Sequence, residues 1–220
     1  PPPPRKKAEV EALLTGAPQT FAPPRPIHVV LVAGEQDHPA GQHDYPAWQK
    51  TWNELLSIDD ATKVSTAWDW PSGEQFDSAD VIVFYQRGNW TAERATDIDA
   101  FLARGGGLVY IHWAVDGREH APAFAQRIGL AWGEGSKYRH GPLNLGFETG
   151  LQHPIGRNFY EVTFYDESYW NLVGDRSKIQ VLANGNEDGQ PVPLFWTLEP
   201  SQGCVVVSIL GHFSWTFDDP

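Results

Sequence analysis

Short apolar runs alternate with amphipathic stretches along the first half of the chain. The run from Ile27 to Ala33 is apolar except for His28, which predicts a strand buried on both faces. Residues 46–56 carry tryptophans and leucines on one helical stripe and predict a helix. A second helix is predicted over residues 91–107, where a threonine suits the N-cap and glycines end the pattern. Further strands are predicted in KVSTAW, ADVIVFY and LVYIHWA.

This alternation of strands and helices predicts an α/β fold with a doubly wound, mainly parallel sheet and right-handed crossovers. In such sheets ligands bind beyond the carboxyl ends of the strands. After Gly133 the pattern changes to shorter strands separated by turn signals, which predicts a β-rich C-terminal half. These strands are predicted in PLNLGFE, YEVTFY, KIQVLA, VPLFWTL and CVVVSIL, the last of which is expected to return to the main sheet.

Length and proline content divide the chain into two parts. Residues 1–26 carry eight prolines and predict an extended arm or linker, with a short helix around residues 6–14. Residues 27–220 are expected to form one domain, because the 220-residue chain is long enough for one substantial core and short for two.

Composition narrows the range of partners. The formal charge is −12, and the only basic cluster is the segment Arg5-Lys6-Lys7, so we expect no binding to nucleic acid. No apolar run reaches the ~18 residues of a membrane-spanning helix, so none is expected. Because Cys204 is the single cysteine, no intrachain disulfide is possible, and both a cytoplasmic and a periplasmic or secreted location remain open. The ten tryptophans suit a core and flat platforms for sugar rings. The sequence does not indicate the oligomeric state.

Two histidines stand where predicted strands end. His112 follows the run LVYI, and His212 follows the run VVVSILG. The carboxyl ends of neighbouring strands in an α/β sheet meet at one edge, so we expect these two side chains to lie close together. A single histidine at a strand end is more often a hydrogen-bonded structural residue than part of a functional site. For two histidines at the same edge, the sequence favours the structural role and the functional site equally.

A further histidine and an acidic pair lie in the C-terminal half. His153 precedes Pro154, which favours an extended backbone. Asp166 and Glu167 follow an apolar run and are flanked by aromatic residues, although such pairs are often solvated turns. Between aromatic rings a carboxylate is expected to be partly desolvated, which raises its pKa and suits it to act as a base near neutral pH. We therefore assign Glu167 as base or metal ligand, with Asp166 as its substitute.

Other residues are candidates for the walls of the site. The loop histidines His43 and His140 can close over the edge of the sheet, although His43 can equally assist the cap of the following helix. His28 and His120 are assigned to structural or surface roles, and His38 is left undecided. The candidates for substrate binding are His43, Tyr45, Trp113, His140, Tyr169 and Trp170.

Several imidazoles with one carboxylate would suit a divalent ion such as Zn, Fe, Mn or Ni, acting as a Lewis acid at an open position. The expected ligands are His112, His153, Glu167 and His212. There is no HExxH pair and no cysteine cluster, so spacing alone does not establish a metal. GxGxxG, GxxxxGK and GxSxG are also absent, so no nucleotide cofactor or serine nucleophile is expected.

The order of GGGLVYIH, HPIG, YDESYW and LFWTLEPSQGCVVVSILGHFSWTFDDP resembles the ThuA-like family, named for trehalose utilisation, over roughly residues 27–220. That family usually shows a glycine run leading to a strand that ends in histidine, then His-Pro-Ile, Asp-Glu-x-Tyr and a terminal Gly-His. The chain departs from this pattern at Tyr110, where glycine is commoner, and in the long loop of residues 35–46. The second departure leaves the identity of the substrate open.

The resemblance implies a flavodoxin-like fold of the class I glutamine amidotransferase-like kind without its catalytic cysteine, with His112 near the position of that nucleophile. It also implies a role in disaccharide catabolism, where a sugar is first oxidised to a 3-keto glycoside. We therefore expect a carbohydrate-active enzyme that enolises keto-glycosides with metal or histidine assistance and leads to elimination, hydrolysis or isomerisation. The alternative is a non-catalytic sugar-binding module of a larger protein. The expected catalytic residues are His112, His153, Asp166, Glu167 and His212.

Overall fold

The computed structural model describes residues 5–15, 25–147, 153–156 and 158–218 of the chain. Its strands are β1 (Ile27–Ala33), β2 (Thr62–Trp68), β3 (Val81–Phe84), β4 (Gly107–Ile111), β5 (Leu130–Ala131), β6 (Lys137–Phe147), β7 (Glu161–Trp170), β8 (Val173–Gly174), β9 (Gln180–Glu187), β10 (Gln190–Leu198) and β11 (Cys204–Ser208). Its α-helices are α1 (Lys7–Leu14), α2 (Tyr45–Leu56), α3 (Gly73–Ser78), α4 (Ala92–Ala103) and α5 (Ala121–Ile128).

One nine-stranded sheet carries both halves of the chain, in the order β2-β1-β3-β4-β11-β10-β9-β6-β7. The pairs from β2 to β11 are parallel, and the pairs from β11 to β7 are antiparallel. The fold is therefore mixed α/β, and the expected return of the last strand is confirmed by the pairing of β11 with β4. The sheet as a whole is not mainly parallel, because the β-rich half continues the same sheet through antiparallel pairing.

Helices cover both faces of the parallel half. Alternate residues of β1 point to opposite faces, as the period of a strand requires. Val29 and Leu31 pack in a cluster that includes the first turn of α2. Val30 and Val32 belong to the larger core, which α4 and α5 also join. The carboxyl edge of the parallel strands is left to loops, and this edge carries the chemistry described below.

Element ends show where local chemistry overrides the apolar pattern. The helix predicted over residues 46–56 begins at Tyr45, because the Asp44 side chain accepts from the Ala47 backbone N–H and Pro46 suits the first turn. The strand predicted as LVYIHWA stops at Ile111, and residues 112–115 form a 3₁₀ turn. Helix α3 was not predicted, because it has six residues, too few to show a period.

The predicted arm is described only at residues 5–15 and 25–26. Helix α1 agrees with the short helix predicted there, and Arg5 donates to the carbonyl oxygen of Thr163 on β7 at 3.0 Å. The longest helices, α2 and α4, have 12 residues each. Among the described residues, no helix combines the length and the apolar character needed to cross a bilayer.

We predict that Gly203→Ala destabilises the sheet. A Cβ at Gly203 would lie 2.2 Å from the carbonyl oxygen of Gly106, so the start of β11 or the end of the α4–β4 connection must shift. Overpacking of this kind costs about 1–3 kcal/mol in the free energy of unfolding, which denaturant titration measures. Gly73→Ala is the matched control, because nothing lies within 4 Å of its Cβ. Equal stability of the two variants would contradict the tight contact.

Candidate functional site

Three histidines and one glutamate meet beyond the carboxyl ends of β4 and β11. Their ligand atoms lie within 4.8 Å of one another, and all four side chains are buried. The structure thus brings His112 and His212 together, as their strand-end positions predicted, and adds His43 and Glu167. His43 and His112 hold left-handed backbone conformations, with φ of 46° and 54°. Such conformations are costly for residues other than glycine and persist where the surrounding structure fixes them.

Glu167 reaches this cluster from the opposite end of the sheet. Strand β7 lies five places from β4 in the sheet order, which is about 24 Å in a flat sheet. Yet Glu167 Oε2 is 3.2 Å from His112 Nε2. Among the described residues, strand β6 pairs with β9 through Gly146 and Phe147 alone, so most of the β6–β7 hairpin leaves the sheet and crosses its carboxyl edge.

Each histidine of the cluster is fixed by a contact on its outer ring nitrogen. The pairs are His43 Nδ1 with Asp37 Oδ1 at 2.7 Å, His112 Nδ1 with the Ile209 carbonyl oxygen at 2.7 Å, and His212 Nε2 with Gln42 Oε1 at 3.2 Å. Carbonyl oxygens and ionised carboxylates only accept hydrogen bonds, so the ring proton belongs on the outer nitrogen in each pair. The inner nitrogens therefore present lone pairs to one another.

The inner atoms are in contact. His43 Nε2 lies 2.9 Å from His112 Nε2 and 3.0 Å from His212 Nδ1. Glu167 Oε2 lies 3.0 Å from His212 Nδ1. Lone pairs and a carboxylate oxygen repel at such distances unless a proton or cation lies between them. Three imidazole nitrogens with one carboxylate oxygen form a donor set that fits Zn, Fe(II), Mn or Ni, and the outer contacts are those that orient metal-binding histidines.

The protonation states agree with such a donor set. Burial lowers the pKa of His43 from 6.5 to about 4, although the hydrogen bond with Asp37 opposes this. Burial likewise lowers the pKa of His212. For Glu167 burial alone would raise the pKa, but the imidazoles of His112 and His212 bring it below its usual range. The raised carboxylate pKa expected from the sequence is therefore wrong for Glu167, because neighbouring imidazoles outweigh desolvation.

Asp166 serves a different purpose from its neighbour. Its carboxylate is fully buried and accepts from the backbone N–H groups of Gly211 at 2.9 Å and His212 at 3.0 Å. It also accepts from the Thr216 hydroxyl at 2.6 Å and from the Glu167 backbone N–H at 2.8 Å. The Asp166 carboxylate thus positions His212 and fastens the hairpin to the end of β11.

A pocket of about 230 Å³ opens over the cluster. Its mouth carries His140, whose half-exposed ring has Nε2 3.2 Å from Glu167 Oε1. Glu167 therefore turns one oxygen to the buried histidines and the other to a solvent-accessible one. Among the described residues, the aromatic walls are formed by Trp113, Trp132, Tyr138 and Tyr169, with His38 beside His43. Flat rings around a polar floor suit a sugar ring.

The structure does not bring His153 to this pocket. His153 lies in the connection between β6 and β7, beyond the pair Gly146 and Glu161. The pair His140 and Glu167 is six positions along the hairpin from there, about 20 Å in strand length. His153 Nδ1 instead accepts from the Ile155 backbone N–H at 3.3 Å. Among the described residues, the fourth position that the sequence analysis gave to His153 is held by His43.

Two predicted substrate-binding residues also lie elsewhere. The Tyr45 hydroxyl is buried 2.8 Å from His43 Nδ1, so it supports the histidine from below the pocket. Trp170 does not line the pocket, because its Nε1 donates to Asp188 Oδ2 at 3.0 Å in the next hairpin. Trp113, His140 and Tyr169 do line it.

Sequence reasoning missed the residues that support the cluster. Asp37, Gln42, Trp132 and Tyr138 were not singled out, although the first two lie in the loop of residues 35–46, which also carries the candidate His43. No local pattern distinguishes an aspartate that holds a histidine from a solvated one. The dense run Asp-His-Pro followed by His-Asp-Tyr was the available signal.

Comparison with known proteins identifies the family to which most of the chain is similar. A family model described as ThuA, trehalose utilisation, matches residues 29–220. A ThuA-like protein from Bacteroides uniformis is 16% identical, with a TM-score of 0.72 over 93% of this chain and 89% of that one. A ThuA-like protein from Parabacteroides merdae is 17% identical, with a TM-score of 0.68 over 86% of this chain and 80% of that one.

A more distant likeness involves a larger enzyme. The chain is 11% identical to a β-galactosidase from Bacillus circulans, with a TM-score of 0.56 over 83% of this chain and 28% of that one. This likeness concerns the fold alone. No curated protein matches the sequence.

We predict that Asp166→Asn destabilises the protein and loosens the segment that carries His212. An amide has one accepting oxygen where the carboxylate has two, so at least one of the buried donors on Gly211, His212 and Thr216 loses its acceptor. The cost is about 1–3 kcal/mol, measurable by denaturant unfolding, with faster amide exchange at residues 211–212. Asp60→Asn, in an exposed turn, is the control and should leave both values unchanged. An Asp166 variant as stable as this control would show that the carboxylate does not position His212.

Proposed function

The chain belongs to the ThuA family, described as trehalose utilisation, and from this premise we propose that it is a carbohydrate-active enzyme that acts on keto-glycosides. The observation that carries the proposal is the convergence of three imidazole nitrogens and one carboxylate at the floor of an aromatic pocket. The pocket is too polar at its base for a purely apolar ligand, and its walls suit the faces of a sugar ring.

We propose that His43, His112, Glu167 and His212 hold one divalent metal ion. Support comes from their outer contacts, which direct the lone pairs of all three rings inward. The ion would supply Lewis-acid chemistry, which stabilises negative charge on a carbonyl oxygen. His43 takes the position in this set that sequence reasoning gave to His153.

The proposed first step is removal of the C2 proton of a 3-keto glycoside. The neighbouring ketone makes this proton acidic, because the electron pair left on C2 delocalises onto the C3 oxygen. We assign the proton transfer to His140, whose ring is half-exposed at the pocket mouth, and specifically to its Nδ1, because Nε2 faces the Glu167 carboxylate and carries the ring proton. Glu167 Oε1 lies 3.2 Å from Nε2 and orients the ring.

Departure of the glycosidic oxygen from C1 completes an elimination. The electron pair on C2 forms a C1–C2 double bond, the C1–O bond breaks, and the leaving oxygen takes up a proton. The products are an unsaturated ketone and the released sugar, which conserve all atoms of the substrate. Addition of water to the unsaturated product gives net hydrolysis, and reprotonation without bond cleavage gives isomerisation. Enolisation is common to all three outcomes.

We further infer that the parallel half is of the doubly wound, flavodoxin-like kind found in class I glutamine amidotransferases. The order β2-β1-β3-β4-β11, with apolar clusters on both faces, supports this. His112 stands directly after β4 with a left-handed backbone, at a strand-to-turn corner that suits a reactive side chain.

The metal prediction distinguishes the structural ligand set from the one expected from sequence. Untagged wild type reconstituted with Zn, Mn, Fe(II) or Ni should retain about one ion per chain by elemental mass spectrometry. His43→Ala should lose it, whereas His153→Ala should retain it. Asp37→Asn should weaken binding about 10- to 100-fold, because the residue orients His43 from outside.

Two results would contradict this ligand set. Metal loss in His153→Ala with retention in His43→Ala would restore the set expected from sequence. If the wild type retains none of the four ions, the metal proposal is wrong, and acid–base chemistry by histidine is the mechanism that remains.

The activity prediction concerns proton transfer. With a 3-keto derivative of trehalose in heavy water, wild type should exchange the C2 proton and release glucose, followed by NMR. His140→Ala should retain its metal but lower the rate at least about 100-fold, the usual contribution of a general base. Added imidazole should restore part of that rate. Lys50→Ala, exposed on α2, is the control.

The same assay distinguishes an enzyme from a protein that only binds sugars. Sugar binding without exchange or release, on metal-loaded protein and across several keto-disaccharides, would indicate a non-catalytic sugar-binding module instead of an enzyme.

A further inference from the structure

The phenol of Tyr169 lies between the histidine cluster and the pocket above it. Its hydroxyl oxygen is 3.0 Å from His112 Nε2, and the residue also lines the pocket. Only 2% of Tyr169 is exposed. Because side chains alternate along a strand, Tyr169 shares one face of β7 with Glu167. The hydroxyl group of Tyr169 is therefore a buried polar group at the point where a ligand would meet the cluster.

The ring of Tyr169 is held by aromatic neighbours. It stacks on the ring of His112, with centroids 4.9 Å apart and planes inclined by 25°. The rings of Trp132 and Trp113 lie at 4.8 and 5.8 Å, both edge-on. Such close packing leaves the ring little room to move. The hydroxyl proton can still rotate about the C–O bond, so it can change its acceptor while the oxygen atom stays in place.

The inner nitrogen of His112 meets one proton donor and two groups with lone pairs. Its Nδ1 donates to the Ile209 carbonyl oxygen at 2.7 Å, so Nε2 is an acceptor. Tyr169 Oη, His43 Nε2 and Glu167 Oε2 lie 3.0, 2.9 and 3.2 Å from this nitrogen. A phenol carries its proton at neutral pH, whereas the other two atoms present lone pairs. The Tyr169 hydroxyl therefore donates to His112 when the cluster holds no cation.

The lone pair of His112 Nε2 cannot accept this hydrogen bond and hold a cation at the same time. A Tyr169 hydroxyl released from His112 needs another acceptor, because buried polar groups are rarely left unpaired. Both oxygens of Glu167 already face imidazoles, Oε2 those of His112 and His212 and Oε1 that of His140. An oxygen atom of a ligand in the pocket is the acceptor that remains.

From these contacts we propose that Tyr169 is a catalytic residue whose hydroxyl donates a hydrogen bond to the C3 oxygen of the keto-glycoside during enolisation. This inference rests on the proposed function for the substrate and on the proposed ligand set for the release of the hydroxyl from His112. The C2 proton moves to His140, and the electron pair of the broken C–H bond delocalises onto the C3 oxygen. Tyr169 keeps its own proton, so the step needs no further reactant. A donor fixed in this way stabilises the developing charge more than the neutral ketone.

Metal affinity tests the competition for His112 without any substrate. Wild type and Tyr169→Phe are titrated with Zn, Mn, Fe(II) or Ni against a competing chelator. The variant should bind as tightly as wild type or up to about tenfold tighter, because no hydroxyl competes for the lone pair. A tyrosine that merely orients His112 would give the opposite result, a loss of about 10- to 100-fold on its removal. Tyr160→Phe is the matched control, because this tyrosine is 71% exposed and does not line the pocket.

Binding of acetohydroxamate to the metal-loaded proteins tests the donor directly. The neighbouring oxygens of this probe imitate the charged oxygen of an enolate, and the probe contains no sugar. By calorimetry, wild type and Tyr160→Phe should bind it about 10- to 100-fold tighter than Tyr169→Phe, as expected for one hydrogen bond to a charged group. Equal affinities would show that the hydroxyl turns to Glu167 or stays with His112, and would overturn the inference.

Turnover provides the third measurement. With the 3-keto derivative of trehalose, Tyr169→Phe should lower kcat for exchange of the C2 proton about 100- to 1,000-fold, the usual loss for one donor to a developing oxyanion. KM should change far less, and Tyr160→Phe should keep the kcat of wild type. A kcat close to that of wild type in Tyr169→Phe would reject the catalytic assignment.

The three measurements separate this inference from the proposed activity. If the hydroxamate depends on Tyr169 but no keto-glycoside is converted, the proposed activity fails and the donor role stands. If Tyr169→Phe converts keto-glycosides as wild type does, the activity stands and the inference fails. If wild type retains none of the four ions, the ligand set and the inference fail together, because His112 then keeps the hydrogen bond from Tyr169.

Discussion

The site depends on one buried carboxylate that ties two distant parts of the sheet together. Asp166, on the β6–β7 hairpin, accepts from the backbone of Gly211 and His212 at the end of β11. Among the described residues the backbone of the hairpin pairs with β9 through Gly146 and Phe147, and Arg139 adds a side-chain bond to Glu187 at 2.6 Å. With the Asp166 contact, Glu167 is carried across the carboxyl edge to the histidines. The contact that holds the hairpin against the end of β11 therefore also completes the four-residue cluster.

Neighbouring carboxylates acquire different properties because different partners surround them. Asp166 is surrounded by backbone N–H groups and a hydroxyl, which hold it in place. Glu167 is surrounded by imidazoles, which keep it ionised despite burial. The outer contacts of the histidines complete the arrangement, since Asp37 and the Ile209 carbonyl oxygen direct lone pairs inward. The electrostatic character of the cluster is thus determined by groups one contact further out.

The sequence predicts what is local and fails where the chain returns from far away. Strand-end positions were sufficient to bring His112 and His212 together, because parallel strands share a carboxyl edge. The same reasoning included His153, since Pro154 gave it a fixed position but no direction relative to the sheet. His43 was placed at the periphery because nothing local reveals that its loop folds inward over β11. The pKa of Glu167 could not be predicted, because it depends on rings 45 and 55 residues away in the chain.

The spread of the cluster along the chain has a consequence for biosynthesis. His43 and His212 are 169 positions apart, and His43 and His112 are 69 apart. Closing such long loops costs entropy that only the completed core offsets. A nascent chain cannot assemble the four-residue cluster before residue 212 has left the ribosome and β11 has entered between β4 and β10. Loading of any ion in this geometry therefore has to follow the insertion of β11, which joins the two halves of the sheet.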